Sequence, residues 1–299
     1  MELKKLVDIS PEVYEHSFDK AALSKLRSLP GFDKVVNFML NWAYVKWHLV
    51  DLQGSNFHVT RESCPELYKL VKDVGETLDV EELPEVYTEW GYAVNGYTTG
   101  TKENTLMVLY SGAVDLLSDP QLRFVVGHEM GHVKSGHVLY HMMAEVFSNM
   151  VGFIPLGETL LTPIHYALLY WNRMSEFTAD RAGLLACQNK DEAIKAIVKM
   201  AGMPIKYFDK IDNTAFLKQA EEFEKMSSGI ADTAIRTISI ASSTHPWTVF
   251  RAGQLLKWIE SGEYDKVLED YAGVPCHNCG KIVARNAKIC NRCGLPPFE

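Results

Sequence analysis

The sequence predicts an α+β fold in which many helices pack on a small antiparallel sheet, followed by a short separate module. Residues 86–109 are rich in β-branched and aromatic residues and are punctuated by glycines, as in strands joined by hairpin turns. Residues 118–260 instead place apolar residues at helical spacing. Residues 273–299 carry two Cys-x-x-Cys pairs and little apolar sequence. Together these observations define the predicted architecture.

Turn and helix-start signals divide the chain further. Residues 18–52 predict two amphipathic helices separated at Leu29-Pro30-Gly31, and Pro65 begins another helix that runs to Leu78. The best domain boundary is Gly273-Val274-Pro275. We therefore predict a first domain over residues 1–272, with N-terminal helices to about residue 64 and a core over 65–272, and a second domain over 273–299.

Composition limits the class of protein. A chain of 299 residues with 47% apolar residues can bury a large core. The net charge of -8 argues against a nucleic-acid-binding protein, since such domains are usually basic, and no stable nucleic-acid binding is expected. Residues 1–20 contain no apolar h-region, so we expect no secretory signal.

The longest apolar zone spans residues 138–171. Glu145, Pro155, Glu158 and Pro163 interrupt it, and the remaining pieces are shorter than the roughly 20 residues that a membrane span needs. We expect buried or partly exposed helices in this zone. A hairpin apposed to a membrane is the alternative, so a peripheral membrane contact stays open.

A helix with metal-binding potential begins at Ser118, where Pro120 suits the first turn and Gln121 can complete a capping box. It carries the motif His128-Glu129-Met130-Gly131-His132. Residues four apart share a helix face, so the two histidines can point at one metal ion. Glu129 can then approach a water at that ion and act as a general base.

An extended H-E-x-x-H-x-x-G-x-x-H motif is not present. Ser135 and Val138 occupy the positions that this motif would require to be glycine and histidine. His137 is therefore off register for a third ligand, and we expect it to be structural. His141 is expected to be a surface or packing residue.

A third ligand is available downstream at Glu176. This residue lies four positions before Asp180, so the two carboxylates share a helix face. Glu176 can complete a His-His-Glu set that leaves one zinc position open, and Asp180 can accept the outer N–H of a ligating imidazole. The alternative is a surface acidic pair with Arg173 and Arg181.

The chain resembles the HtpX-like and CAAX-prenyl-protease-like zinc metallopeptidases of the gluzincin type. The resemblance implies a zincin-like domain with endopeptidase activity, zinc held by His128, His132 and Glu176, and Glu129 as the base. A role in protein quality control would suit such an activity. The resemblance rests on four motifs: Asn95-Gly96-Tyr97-Thr98-Thr99-Gly100, His128-Glu129-Met130-Gly131-His132, Glu176-Phe177-Thr178-Ala179-Asp180-Arg181 and His245-Pro246.

The resemblance also assigns residues around the cleft. His245 would lie near the metal and donate a hydrogen bond to the developing oxyanion, or else be a loop or core histidine. Arg251 would orient the cleft, or else form a surface ion pair. An extended polypeptide substrate could add as a strand beside the cleft. The strand it would join contains Asn95, Tyr97, Thr98, Thr99 and Gly100.

One departure from the family concerns the membrane. Integral members carry clear spanning helices, and none is predicted in this sequence. This puts a lipid-modified or membrane-embedded substrate in doubt.

The C-terminal cysteines form two matched knuckles. Four thiolates make a closed tetrahedral site, and a domain this short depends on such a metal for folding. We predict a structural zinc ribbon, so that the chain holds one catalytic and one structural zinc ion, and an unidentified protein partner for the ribbon. Zinc thiolates suit a reducing compartment, so we expect a cytoplasmic protein. The predicted ligands are Cys276, Cys279, Cys290 and Cys293.

The leading hypothesis is a zinc metalloendopeptidase that acts on unfolded or extended polypeptides. The alternative is a catalytically silent scaffold that acts through its ribbon, and an intact Glu129 with a complete ligand set favours the enzyme. An exopeptidase would need a residue that binds a substrate terminus, and the sequence shows no such motif.

Overall fold

The structure is a computed structural model that describes residues 3–32, 34–36, 43–101, 103–150, 157–225 and 245–298. Pro155, one of the predicted interruptions of the apolar zone, lies outside the described residues. The helices are α1 (Ser17–Arg27), α2 (Ala43–Ser55), α3 (Pro65–Thr77), α4 (Ser111–Leu116), α5 (Asp119–Lys134), α6 (Val138–Met150), α7 (Gly157–Cys187), α8 (Lys190–Met200), α9 (Asn213–Lys225), α10 (Thr248–Glu260) and α11 (Glu263–Asp270). The strands are β1 (Phe57–Val59), β2 (Glu85–Glu89), β3 (Gly96–Gly100), β4 (Thr105–Tyr110), β5 (Val274–Pro275) and β6 (Ile282–Val283).

The main sheet is mixed, so the prediction of a purely antiparallel sheet is wrong. Its strand order is β1-β2-β4-β3, with β2 parallel to β4 and the other pairs antiparallel. Strand β4 lies between β2 and β3 in the sheet. The chain reverses direction once between β2 and β3 and again at the β3–β4 hairpin, so β2 and β4 run parallel. The sequence pattern indicates the strands but carries no information on their order.

The sheet is buried on both faces between two layers of helices. Along β4, Met107 and Leu109 belong to one apolar cluster, while Leu106 and Val108 belong to a second. Successive residues of a strand point to opposite faces, so one strand serves both cores. The first cluster joins the sheet to α3, α5, α8 and α10, and the second joins it to α1, α6 and α7. This mostly helical architecture with a small sheet agrees with the predicted class.

Helix α7 is longer than the sequence suggested. It runs without a break from Gly157 to Cys187 and contains Pro163 near its start. Pro163 lies inside the helix, beyond its first turn, so its nitrogen cannot donate one of the backbone hydrogen bonds there. None of the described helices combines the length and the apolar character needed to cross a membrane.

Helices α5 and α7 cross at unusually small distances between their backbones. A methyl group added at Gly127 would lie 2.3 Å from Ala186 Cβ, and one added at Gly131 would lie 2.6 Å from Ala182 Cβ. On the opposing helix, a methyl group at Gly183 would lie 2.7 Å from the carbonyl oxygen of Phe124. The small residues on both helices thus allow contact that any larger side chain would prevent.

The C-terminal module has its own small core. Strands β5 and β6 pair as an antiparallel two-stranded sheet, and Val283 packs with buried Cys276 and Cys290. The N-terminal segment reaches the start of this module, because the Gly273 N–H donates to the carbonyl oxygen of Lys5 (2.8 Å). The domain boundary at residue 273 stays a prediction.

The helix crossing leads to a stability prediction for Gly127→Ala. Alanine is normally about 1 kcal/mol better than glycine inside a helix. At residue 127, however, the added methyl group would overlap Ala186, and overpacking of this kind costs about 1–3 kcal/mol. We expect a net loss in the free energy of unfolding, measured by urea denaturation.

Gly54 provides the matched control, because it lies in helix α2 and an added methyl group would meet nothing within 4 Å. Gly54→Ala should stabilise the protein. Stabilisation by both substitutions would contradict the close crossing.

Candidate metal and active site

Two helices bring three potential metal ligands to one point. Helix α5 supplies His128 and His132, whose Nε2 atoms lie 3.2 Å apart. Helix α7 supplies Glu176, with Oε2 at 3.5 Å from His128 Nε2 and Oε1 at 3.4 Å from His132 Nε2. All three side chains are buried. This is the constellation that the motif spacing predicted.

These separations fit a tetrahedral zinc ion. Ligand atoms bonded to zinc at about 2.0–2.1 Å lie about 3.3–3.4 Å from one another in a tetrahedron. The two histidine nitrogens lie 3.2 Å apart, and each lies 3.4–3.5 Å from a different one of the two Glu176 oxygens, close to that value. Three protein ligands are also the number found in catalytic rather than structural zinc sites. Burial lowers the pKa of His132 to about 4, whereas at His128 the effect of burial is outweighed by Asp180 and Glu176, which raise its pKa to about 9.

Asp180 and Arg251 contact the potential ligands His128 and Glu176. Asp180 Oδ1 lies 3.0 Å from His128 Nδ1, which fixes the ring so that Nε2 faces the other ligands. Arg251 donates to both oxygens of Asp180, at 2.9 and 2.6 Å, and lies 3.2 Å from Glu176 Oε2. Burial alone would raise the pKa of Asp180, but the charge and hydrogen bonds of Arg251 lower it overall. Arg251 is thus a buried ion-pair partner, so the alternative of a surface ion pair at Arg251 is wrong. Glu176 and Asp180 are buried as well, so they are not a surface acidic pair.

Glu129 lies next to His128 on helix α5 but is not one of the three side chains whose ligand atoms converge. Burial raises its pKa to about 7, and its Oε2 atom is buried without a hydrogen-bond partner among the described residues. Strand β3 passes directly over it, since a methyl group added at Gly96 would lie 3.6 Å from Glu129 Cγ. A carboxyl group with a pKa near neutrality can both accept and return a proton.

His245 stands at the open side of the site. Its Nε2 lies 4.0 Å from Glu176 Oε2, and 47% of its side chain is exposed. A cleft of about 680 Å³ opens next to it. The lining of the cleft includes the apolar residues Met200, Met203, Ile205 and Phe208.

The predicted substrate strand is β3, which forms one edge of the main sheet. Asn95 precedes it and accepts a hydrogen bond from the Tyr110 N–H (3.1 Å). Tyr97 donates its hydroxyl to Glu89 (2.8 Å), while Thr98 and Thr99 are buried. Gly100 ends the strand at the hairpin turn. Among the described residues, only β4 pairs with β3.

The four C-terminal cysteines also converge. The Sγ atoms of Cys276 and Cys293 lie 3.9 Å apart, and those of Cys279 and Cys290 lie 3.7 Å apart. Sulfur ligands at about 2.3 Å from a tetrahedral zinc ion would lie about 3.8 Å apart. The glycine that follows each knuckle, Gly280 and Gly294, has the same left-handed φ of 72°. The cluster is compatible with a zinc ribbon.

Sequence reasoning missed the surroundings of His132. His137 was expected to be structural. Its Nδ1 atom lies 3.1 Å from His132 Nδ1, and its Nε2 atom contacts Asp19 of helix α1. His141 was expected at the surface or in packing, and its Nε2 lies 2.8 Å from the Ser175 hydroxyl oxygen. The sequence carries no signal for the Asp19 contact, because that residue lies more than one hundred positions from the motif.

Comparison with known proteins agrees with this geometry. Residues 64–259 match the family model of Peptidase family M48. The match covers both candidate ligand motifs and Arg251. This chain therefore belongs to peptidase family M48, and it is a zinc metallopeptidase of the HtpX-like type, as the sequence motifs predicted.

Curated relatives are similar over most of the chain. The plastoglobule-localized metallopeptidase 48 of Arabidopsis thaliana chloroplasts is 28% identical over 264 residues, covering 88% of this chain and 76% of its own length. A protease HtpX homolog from Polynucleobacter necessarius is 24% identical over 69% of this chain and 77% of its own length. Another from Burkholderia ambifaria is 25% identical over 78% and 87%, respectively. No solved structure matches the chain.

The buried charges of the site make a prediction for Arg251→Met. Removing the guanidinium leaves Asp180 and Glu176 as buried carboxylates without their cation, and loss of one partner from a buried ion pair costs about 3–5 kcal/mol. We expect that loss in the free energy of unfolding of the chelator-treated protein, measured by urea denaturation.

Arg123→Met is the control, since Arg123 forms a partly exposed pair with Asp73 at 3.4 Å. Such pairs contribute about 0–1 kcal/mol. Equal effects of the two substitutions would show that Arg251 does not neutralise the site.

Proposed function

We propose that this metallopeptidase is an endopeptidase that cleaves unfolded or extended polypeptides, with Glu129 as the general base. The observation that carries the proposal is a buried carboxyl group, with a pKa raised to about 7, next to three converging metal ligands. A role in protein quality control would follow from a preference for unfolded chains. The silent-scaffold alternative predicts zinc binding without turnover.

The chemistry divides between the ligands and the base. A zinc ion held by His128, His132 and Glu176 would polarise the scissile carbonyl and acidify the attacking water. Glu129 takes the proton from that water and returns it to the leaving amine. Burial raises the pKa of this carboxyl group to about 7, which suits a group that both accepts and returns a proton. Asp180 and Arg251 hold His128 in the orientation that binding requires.

The surroundings of the site support an extended substrate. Strand β3 is an edge of the sheet and passes over Glu129, so a polypeptide that added to this edge would bring its backbone next to the base. The neighbouring cleft contains Met203 and Phe208 and would accept an apolar side chain near the scissile bond. Neither feature depends on a chain terminus, which favours internal cleavage.

We also propose a reducing compartment, with the cytoplasm as the expected location. The support is chemical: none of the six cysteines forms a disulfide, and four of them form the C-terminal cluster. We further propose that the ribbon contacts another protein and that the protein makes a peripheral contact with a membrane. Cell fractionation with the intact chain tests the location.

The base is tested by Glu129→Gln. Glutamine keeps the shape of the side chain but cannot accept the proton, and Glu129 does not belong to the ligand set. We expect cleavage of unfolded casein to fall below detection while the zinc content stays that of the wild type. Glu176→Ala should instead lower both zinc affinity and cleavage.

Two outcomes would separate the alternatives. A wild-type protein that binds zinc but does not cleave casein or a peptide library would favour the scaffold. Loss of zinc from a folded Glu129→Gln protein would contradict the separation between base and ligand.

The two clusters predict two zinc ions per chain. The cysteine cluster is closed by four thiolates, whereas the His-His-Glu site has only three protein ligands. Mild chelation should therefore remove one ion quickly and the other slowly, as followed by metal analysis. A stoichiometry of one, measured with all cysteines reduced, would remove the ribbon assignment.

His245 is predicted to stabilise the transition state. It lies at the open side of the site, close to Glu176 but more than 3.5 Å from it, so it can donate to an oxyanion without being a ligand. Removing such a donor typically lowers turnover about a hundred- to a thousand-fold. His245→Ala should show this loss in kcat with unchanged zinc content and KM, measured by steady-state kinetics. Wild-type turnover would return His245 to a structural role.

A further inference from the structure

A chain of hydrogen-bonding groups extends from the outer nitrogen of His132 to the N-terminal helix. His132 Nδ1 lies 3.1 Å from His137 Nδ1, and His137 Nε2 lies 3.2 Å from Asp19 Oδ2. Asp19 is completely buried on helix α1. Its remaining partners only donate: the Trp171 indole N–H donates to Oδ1 (2.9 Å), and the Thr178 hydroxyl donates to Oδ2 (2.6 Å).

The position of each proton in this series of hydrogen bonds follows from the groups that donate to Asp19. Asp19 accepts from Trp171 and Thr178. Burial would raise its pKa, but hydrogen bonds from His137 and these residues lower it overall, so the carboxylate is charged. It therefore also accepts from His137 Nε2, and a His137 ring that carries its single hydrogen there has its lone pair on Nδ1. That lone pair faces His132 Nδ1, which must carry hydrogen.

We propose that Asp19 and His137 are positioning residues that fix the tautomer of His132, so that its Nε2 lone pair faces the zinc site. The inference rests on the proposed ligand role of His132. Asp180 does the same for His128 directly, across a 3.0 Å contact with its Nδ1. The two ligating histidines of helix α5 are thus held by carboxylates from different helices, one directly and one through a second imidazole.

The same rings could instead hold a second metal ion, because His132, His137 and His141 bring their nitrogens within 4.8 Å of one another. A neutral imidazole has one lone pair, so His132 cannot serve both this ion and the site with Glu176. The Ser175 hydroxyl donates to the Asn172 carbonyl and accepts from His141 Nε2. The contacts therefore favour hydrogen bonding over a second ion.

Asp19→Asn tests the proposal without changing the size of the side chain. Trp171 can only donate, so it fixes the asparagine oxygen on its side and turns the NH₂ group towards His137. His137 must then accept at Nε2 and carry hydrogen on Nδ1. Two N–H groups would face each other unless His132 moved its hydrogen to Nε2, the atom needed for zinc.

Two measurements on the intact chain follow this change. Long-range proton–nitrogen NMR of the zinc-free protein should show His132 protonated on Nδ1 in the wild type and on Nε2 in Asp19→Asn. Zinc affinity of the His-His-Glu site, measured by chelator competition with the cysteine cluster loaded, should fall about 10- to 100-fold, as for other partners of ligating histidines. An unchanged tautomer, an unchanged affinity, or an additional zinc ion lost on His141→Ala would each overturn the proposal.

A pair of His137 variants keeps the test decisive if Asp19→Asn does not fold. Glutamine at position 137 can accept from His132 through its oxygen and donate to Asp19 through its NH₂ group, whereas leucine can do neither. His137→Gln should keep the Nδ1 tautomer and most of the zinc affinity, and His137→Leu should lose both. Equal behaviour of the two variants would mean that His137 only fills space. Because these readouts do not involve turnover, they can fail while Glu129-dependent cleavage stands.

Discussion

The close crossing of helices α5 and α7 is the constraint on which the site depends. Gly127 and Gly131 on one helix meet Ala186 and Ala182 on the other, at distances that leave no room for a further methyl group. This contact lies directly beside the ligand motifs on both helices. It lets Glu176 reach the two histidine nitrogens at 3.4–3.5 Å, as a shared zinc ion requires. A wider crossing would separate the third ligand from the other two.

Burial of this crossing also buries charged side chains, which a neighbouring cation must neutralise. Two carboxylates, Glu176 and Asp180, lie within a water-excluded region, where an unpaired charge is costly. Arg251 neutralises both from helix α10, and a bound zinc ion would add further positive charge. Among the residues that the structure describes, none places such a cation at hydrogen-bonding distance from Glu129, and burial raises its pKa to about 7. The environment thus differs for two chemically identical groups: Glu176, the proposed ligand, lies beside Arg251, whereas Glu129, the proposed base, has a raised pKa.

The sequence predicted what depends on local spacing. The range of helix α3, the start of helix α5, the pairing of His128 with His132 and the shared face of Glu176 and Asp180 follow from local sequence signals. The family match confirms the class of enzyme. The order of the strands was not predictable, because pairing is set by packing between segments. The same holds for Asp19, since no periodic pattern links helix α1 to the motif. The individual roles of His245 and the ribbon cysteines stay predictions.

The most direct test of the account is an anomalous difference map at the zinc edge from crystals of the zinc-loaded protein. Besides the peak expected at the four cysteines, we expect a peak about 2.0–2.1 Å from His128 Nε2, His132 Nε2 and a Glu176 oxygen, with Glu129 outside bonding distance. A peak among His132, His137 and His141, or one bonded to Glu129, would contradict the assignment of ligands and base.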